Sequence, residues 1–325
     1  MRLKAFTQTF ACDGVFVISR GARTHAEVVT VEIGDRDILG RGECTPYQRY
    51  GETLDSVLAQ IESIREAIER EIDQQDLQNL LPAGAARNAV DCALLDFAAK
   101  KANKPIHQLL GLESPKTLTT AFTLSLGSPE SMHESALKNA NRPLLKMKLG
   151  GDGDIERVEA VRSGAPNARL IVDANEAWSV AQYEKMVPAL NNLQVEMIEQ
   201  PFPAGEDAIL AELERPVKIC ADESCHDRQS LPALKNLYDM VNIKLDKTGG
   251  LTEALALNRE AKAAGFKTMV GCMVATSLAM APAIYVAQNA DIIDLDGPLL
   301  LAEDRDNSLR YELSTIFPPD PALWG

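Results

Sequence analysis

The chain has 325 residues, 46% hydrophobic and 25% charged, an ordinary composition for a soluble globular protein with ample length for a buried core. Its 47 acidic and 33 basic side chains leave a net charge of −14, which argues against the basic surface that nucleic acid or an anionic membrane requires. No apolar run approaches the roughly 20 residues of a membrane helix, and the opening MRLKAFTQTFACDG lacks the sustained apolar segment of a secretory leader.

In chain order, residues 2–10 and 25–34 (HAEVVTVEIG) read as strands, with GDRD as a turn candidate and ILGRGEC as the returning strand. ETLDSVLAQIESIREAIERE then carries Leu54, Val57, Leu58, Ile61, Ile64 and Ile68 at helical spacing. A second helix fits AARNAVDCALLDFAAKKAN, and KPIHQLLGL follows as a proline-started turn of helix. A sheet followed by helices is an α+β pattern, so residues 1–115 are read as a first domain.

From about Thr119 the rhythm changes to short apolar strands alternating with helices. The strand candidates are TTAFTLSL, LLKMKLG, LIVDAN, VEMIEQP, VKICADES, MVNIKLDK, KTMVGCM and DIIDLDGP. DIERVEAVRSGA, SVAQYEKMVPALNN, LPALKNLYD and LTEALALNREAKAAG are among the helical stretches between them. Such β-α repeats predict a closed parallel barrel over residues 116–305, with a tail (306–325) packing back on the first domain. A doubly wound open sheet is the competing reading, but no glycine-rich phosphate fingerprint follows the first strand. The six cysteines (Cys12, Cys44, Cys92, Cys220, Cys225, Cys272) form no metal-type CxxC pair, so reduced thiols and a cytoplasmic location are expected.

In such a barrel the chemistry collects at the C-terminal ends of the strands. Read in order, those ends carry Lys146 and Lys148, Asp173 with Asn175, Glu199, Asp222 with Glu223, Lys244 with Asp246, and Asp294 with Asp296. Asp173, Glu199 and Asp222 end three successive strands and can converge; three carboxylates without histidine or cysteine suit Mg²⁺ or Mn²⁺. The bland alternative makes each a helix cap, as Asp173 before NEAW could be. Lys146 and Lys148 precede the trio and Lys244 follows it, which places Lys148 and Lys244 on opposite sides of the cation. A cation and a neighbouring ammonium lower a lysine's pKa, so Lys146 helps make Lys148 available as a base. Bases on both faces of a carbon next to a carboxylate suit inversion of that carbon through an enediolate. A Schiff-base lysine would leave the carboxylates unexplained. Lys247 reads as an exposed strand-end lysine.

The ordered set K-M-K (Lys146, Lys148), D-A-N (Asp173), I-E-Q-P (Glu199), A-D-E-S (Asp222) and N-I-K (Lys244) resembles the enolase superfamily, muconate-lactonising subgroup, over nearly the whole chain. The resemblance implies an α/β fold, an enolase-type modified (β/α)8 barrel under an N-terminal α+β capping domain, with one Mg²⁺ or Mn²⁺ per chain. DLDGP resembles the dipeptide epimerases, in which Asp294 and Asp296 would bind the substrate's α-ammonium. VFVISRGARTHAE and GECTPYQRYGE look like that family's specificity loops. Arg20, or Arg23 three residues on, would pair with an acidic side chain, implying L-Ala-D/L-Glu and murein peptide metabolism. Tyr47, Arg49 and Tyr50 would line the lid, and Thr123 would contact the substrate carboxylate. A small dipeptide is the expected partner, and barrels of this kind often associate into homo-oligomers. Two rivals stay open. One is a lyase or cycloisomerase of the same subgroup, whose substrate offers Asp294 and Asp296 no ammonium; the other is a non-catalytic, metal-dependent binding protein.

Overall fold

The computed structural model describes residues 1–325 apart from Arg36, so the GDRD turn candidate lies partly outside the described residues. The N-terminal strands form an antiparallel sheet, β1 (Arg2–Ile18), β2 (Gly21–Gly34) and β3 (Leu39–Cys44). Val29, Val31 and Ile33 of β2 are buried in the core beneath the helices. β1 runs well beyond Phe10, its register shifting between Ala11 and Phe16. VFVISRGARTHAE, expected as a loop, is therefore mostly a hairpin with Ser19–Arg20 at its tip.

Five helices follow: α1 (Leu54–Ser63), α2 (Arg65–Glu69), α3 (Gln74–Leu80), α4 (Ala85–Ala102) and α5 (Ile106–Leu109). The helix expected over 52–71 breaks at Ile64, and Arg65 at the start of α2 donates Nη1 to Leu3 O on β1 at 2.8 Å. α4 is buried along most of its length, between the capping sheet and the barrel. Its Ala89 and Ala93 face β3 where β3 carries Gly40 and Gly42, so helix backbone lies directly on strand backbone. The polar side chains of α4 are each paired, as burial demands; Asp96, for example, accepts from Arg41 N and Lys100 Nζ, both at 2.8 Å.

After a short strand β4 (Leu118–Thr119) come the eight parallel strands of the barrel. They are β5 (Phe122–Leu124), β6 (Leu144–Lys148), β7 (Arg169–Asp173), β8 (Val195–Glu199), β9 (Lys218–Ala221), β10 (Met240–Ile243), β11 (Lys267–Gly271) and β12 (Ile292–Asp294). Each lies within one expected stretch except β7, which begins one residue earlier at Arg169, and consecutive strands are neighbours throughout. Ala121 N donates to Ile293 O at 2.8 Å and Leu295 N to Thr120 Oγ1 at 2.8 Å, which draws the first and last strands together. The open doubly wound sheet is thereby ruled out. The connecting helices are α6 (Pro129–Lys138), α7 (Asp154–Gly164), α8 (Val180–Asn192), α9 (Leu231–Leu234), α10 (Leu245–Thr248), α11 (Leu251–Ala263) and α12 (Ser277–Ala287).

Strand alternation fills the barrel in layers. Ala121, Leu144, Ile171, Met197, Cys220, Met240, Met269 and Ile292, one from each strand or its start, form a closed apolar cluster. Two residues further along, the same inward direction carries Thr123, Lys146, Asp173, Glu199, Asp222, Asn242, Gly271 and Asp294. The interior changes from oil to charge within one layer. Of two last strands, β13 (Tyr311–Glu312) pairs with β14 (Thr315–Ile316) and β14 with β4, and the chain ends against α4, where buried Trp324 donates Nε1 to Cys92 O at 3.0 Å.

Candidate active site

The polar layer and the residues just above it line a cleft between barrel mouth and capping domain. Lys148 ends β6 and Lys244 follows β10, four strands apart in either direction around eight, so they face each other across the barrel. One arc between them carries Asp173, Glu199 and Asp222; the other carries Thr123, Asp294 and Asp296. Lys146 lies one layer below Lys148 and reaches both arcs, with Nζ 2.6 Å from Glu199, 2.8 Å from Asp294 and 3.3 Å from Asp173.

Every charge in this web is buried, so its protonation follows from its partners. Burial pulls the Lys146 ammonium down, but Asp294, Glu199 and Asp173 outweigh it and hold the group well above the ordinary lysine range. Lys244 is likewise raised against burial, by Asp222, whose Oδ2 it meets at 2.6 Å, and by Glu199. Lys146 is thus itself neutralised by three carboxylates. Lys148 Nζ donates to Asp173 Oδ2 at 2.6 Å. Burial would raise Asp173, but Lys148 and Lys146 bring it below the usual carboxylate range; for Asp222, Lys244 and Lys247 do the same. Glu199 is raised, by burial and then by Asp173.

The three carboxylates fit a hard divalent cation by donor chemistry, being all-oxygen, buried and mutually repelling. Glu199 Oε2 is buried and faces the Lys146 ammonium at 2.6 Å. Among the described residues no three His, Cys, Asp or Glu side chains stand as a finished cage, because each carboxylate is turned to an ammonium.

On the other arc, Asp294 Oδ1 is buried without a partner, while Asp296 Oδ2 accepts from Thr123 N at 2.6 Å. Burial, then Asp294, pushes the Asp296 carboxyl up to about 7. Thr123 thus meets Asp296 through its backbone and lines the cleft beside it. The capping domain supplies the roof. Arg20 is held by protein groups, with Nη2 2.6 Å from Glu223 and 2.8 Å from Tyr47 Oη, and Nη1 3.0 Å from Glu176. Arg23 also lines the cleft, its guanidinium over the Tyr47 ring at 5.4 Å. Arg49 pairs with both oxygens of Glu176 at 2.7 Å, and Tyr50 packs edge-on against His226.

Sequence reasoning missed three supports. Asn242 Nδ2 holds Glu199 Oε1 at 2.7 Å; it is uncharged and sits mid-strand, and only its place in the polar layer could have flagged it. Gln200 Oε1 accepts from Asp222 N and Ser224 N at 2.9 and 3.1 Å. Lys247, expected to be exposed, is buried and donates to Asp222 Oδ1 at 2.6 Å, because the helical turn α10 brings it back to the side of Lys244, three residues earlier.

Residues 131–319 match the enolase C-terminal domain-like family model, and residues 4–111 match the mandelate racemase/muconate lactonizing enzyme N-terminal domain. The L-Ala-D/L-Glu epimerase of Escherichia coli (strain K12) is 48% identical over 95% of this chain and 97% of its own length. The N-acetyl-D-glutamate racemase of a Pseudoalteromonas species is 44% identical over 92% and 95%. Among solved structures, an enolase family member from Agrobacterium tumefaciens with homology to dipeptide epimerases, with bound sodium and L-Ala-L-Glu, is 52% identical over 99% of each chain, with a TM-score of 0.98. A dipeptide epimerase from Enterococcus faecalis V583, complexed with Mg and L-Leu-L-Tyr, is 29% identical over 98% of this chain and 97% of its own, with a TM-score of 0.90.

Proposed function

This chain belongs to the mandelate racemase/muconate lactonizing enzyme family of the enolase superfamily, and from that premise we propose that it is an isomerase that epimerises the second residue of L-Ala-D/L-Glu. The observation that carries this reading is the opposition of Lys148 and Lys244 across the barrel, with carboxylates on one arc between them and on the other an Asp294 whose Oδ1 has no partner. A dipeptide that directs its α-ammonium to Asp294 and Asp296 and its terminal carboxylate to the β7–β9 arc has its second α-carbon between the two lysines.

One lysine, as the neutral amine, takes the α-proton; the carbon flattens as its electrons move into the carboxylate; the opposite lysinium returns a proton to the other face. Which lysine starts neutral depends on the isomer bound. Asp173, Glu199 and Asp222 would hold the cation, one per chain. A divalent cation there would supply positive charge that offsets the carboxylates now holding Lys244 protonated and that favours negative charge on the substrate carboxylate. Lys146 adds a fixed positive charge below the same point.

Arg20 or Arg23 would receive the glutamate side chain; Arg23 has fewer protein partners, whereas Arg20 must leave Glu223 or Glu176 to do so. Murein peptide metabolism in the cytoplasm is the setting that this substrate and the unpaired cysteines suit. The relative named N-acetyl-D-glutamate racemase supports a second reading, since an N-acyl group carries no ammonium and would not need Asp294 and Asp296.

Proton NMR of L-Ala-L-Glu in D₂O with enzyme and Mg²⁺ tests the proposal. Loss of the glutamate α-proton signal with growth of L-Ala-D-Glu resonances is expected. No exchange with any dipeptide, alongside exchange of N-acetylglutamate, would replace it with the second reading.

A further inference from the structure

The turn that follows Lys244 divides its two charged side chains between the site and the capping domain. Lys247, 1% exposed, turns inward and donates to Asp222 O at 2.5 Å, Asp222 Oδ1 at 2.6 Å and Asn242 O at 2.9 Å. Three acceptors satisfy all three of its N–H groups, which is the condition for burying an ammonium. None is left for a substrate, and Lys247 does not line the cleft.

Asp246 turns the other way. Its Oδ1 accepts from Asn88 Nδ2 on α4 at 2.8 Å and from Thr45 N at 3.1 Å. α4 grips the same turn on either side of Asn88. Arg87 Nη2 donates to Thr248 O at 2.7 Å, and Asp91 Oδ1 accepts from Thr252 Oγ1 at 2.6 Å. Gly249 and Gly250 both have positive φ, and a Cβ on Gly250 would lie 2.5 Å from Asp91 Cβ, so the glycine pair is what lets α4 seat on the turn.

Asp222 therefore has two differently committed oxygens: Oδ1 goes to Lys247, and Oδ2 faces Lys244 and the cleft. We propose that α10 is a positioning device, in which Lys247 fixes Asp222 so that only Oδ2 is offered to a cation or to Lys244, and the Asp246–Asn88 bond makes that arrangement depend on the docked capping domain. Lys247 acts through Asp222 and never on the substrate. The part concerning Lys244 rests on the epimerase reading; the part concerning Asp222 does not.

The test compares Lys247→Met and Asn88→Leu with the unmodified protein, each checked for a wild-type circular dichroism spectrum. Mn²⁺ affinity is measured by titration calorimetry without substrate, and α-proton exchange of L-Ala-L-Glu and L-Ala-D-Glu is measured in D₂O at saturating Mn²⁺. Removing the partner of a metal-ligating carboxylate should weaken Mn²⁺ binding about tenfold in Lys247→Met. Exchange should slow more for the isomer deprotonated by Lys244 than for the one deprotonated by Lys148. Asn88→Leu should move both readouts in the same direction, and Asp246→Asn, which keeps an acceptor for Asn88 and Thr45, should retain most of both. Unchanged Mn²⁺ affinity with equal slowing of both isomers would overturn the proposal. Should Lys247→Met not fold, Asn88→Leu carries the same two readouts. If the wild type exchanges neither dipeptide, the epimerase reading fails while the Mn²⁺ titration still decides the role of Lys247.

Discussion

Asp294 Oδ1 is a buried carboxylate oxygen with no donor, next to an Asp296 carboxyl raised to about 7 by burial and by Asp294. Two such groups repel, and a buried acceptor left unmade is costly, so a ligand ammonium there would relieve both beyond what Lys146 supplies to Asp294 Oδ2. Asp296→Ala should raise KM for L-Ala-L-Glu about tenfold or more, the loss of a hydrogen bond to a charged group of about 1.5–3 kcal/mol. N-acetylglutamate should be affected far less; equal losses on both substrates would remove the ammonium assignment. These aspartates, like Lys148, Lys244 and the acidic trio, were legible because a charge at the end of an apolar run breaks the strand pattern. Asn242 is uncharged, and Lys247 lies beyond its strand, where alternation no longer says which way a side chain points. Their roles come from the folded positions of Glu199 and Asp222, which no local pattern contains.

At the scale of elements, the β3–α4 contact has the least tolerance. A Cβ on Gly42 would fall within van der Waals overlap of the Ala89 carbonyl and 2.9 Å from Ala93 N, both backbone atoms that can yield only by moving α4. Gly42→Ala should destabilise the protein by about 1–3 kcal/mol through overpacking, read as a lower urea midpoint. Because α4 also seats on the turn after Lys244, the same variant should lose activity before it unfolds; an unchanged midpoint would contradict the close contact. The eight barrel strands could be read from their short apolar runs, and α4 from a long stretch of helix-forming residues. α3 could not, since only Leu77 is buried on it, and the full length of β1 was obscured by its irregular register. α12 is buried on every side and so carries no helical period.

The whole molecule is a barrel and a cap joined by buried polar contacts. Arg305 Nη1 donates to Gln8 and Nη2 to Thr30, both at 2.7 Å, while Nε meets Glu43 at 2.8 Å and Thr276 at 2.7 Å; α4 makes a second joint through Asp246. Burial pushes the Asp246 carboxyl up to about 7 from its ordinary 3.8, against its hydrogen bonds from Asn88 and Thr45. The folded chain therefore keeps a proton that the unfolded chain releases, and this group removes stability as pH rises from about 4 to about 7. Asp246→Asn cannot titrate, so its stability relative to wild type, by urea unfolding, should rise across that window and then level off. A difference that stays constant with pH would contradict the assignment.

The central claim is that the two lysines work from opposite walls, and isomer-resolved exchange in D₂O by single-lysine variants addresses it most directly. Lys244→Ala should epimerise neither L-Ala-L-Glu nor L-Ala-D-Glu, yet still exchange the α-proton of the one isomer that faces Lys148. Lys148→Ala should exchange only the other. Epimerisation at a normal rate by either variant, or the same surviving isomer in both, would contradict a two-base site.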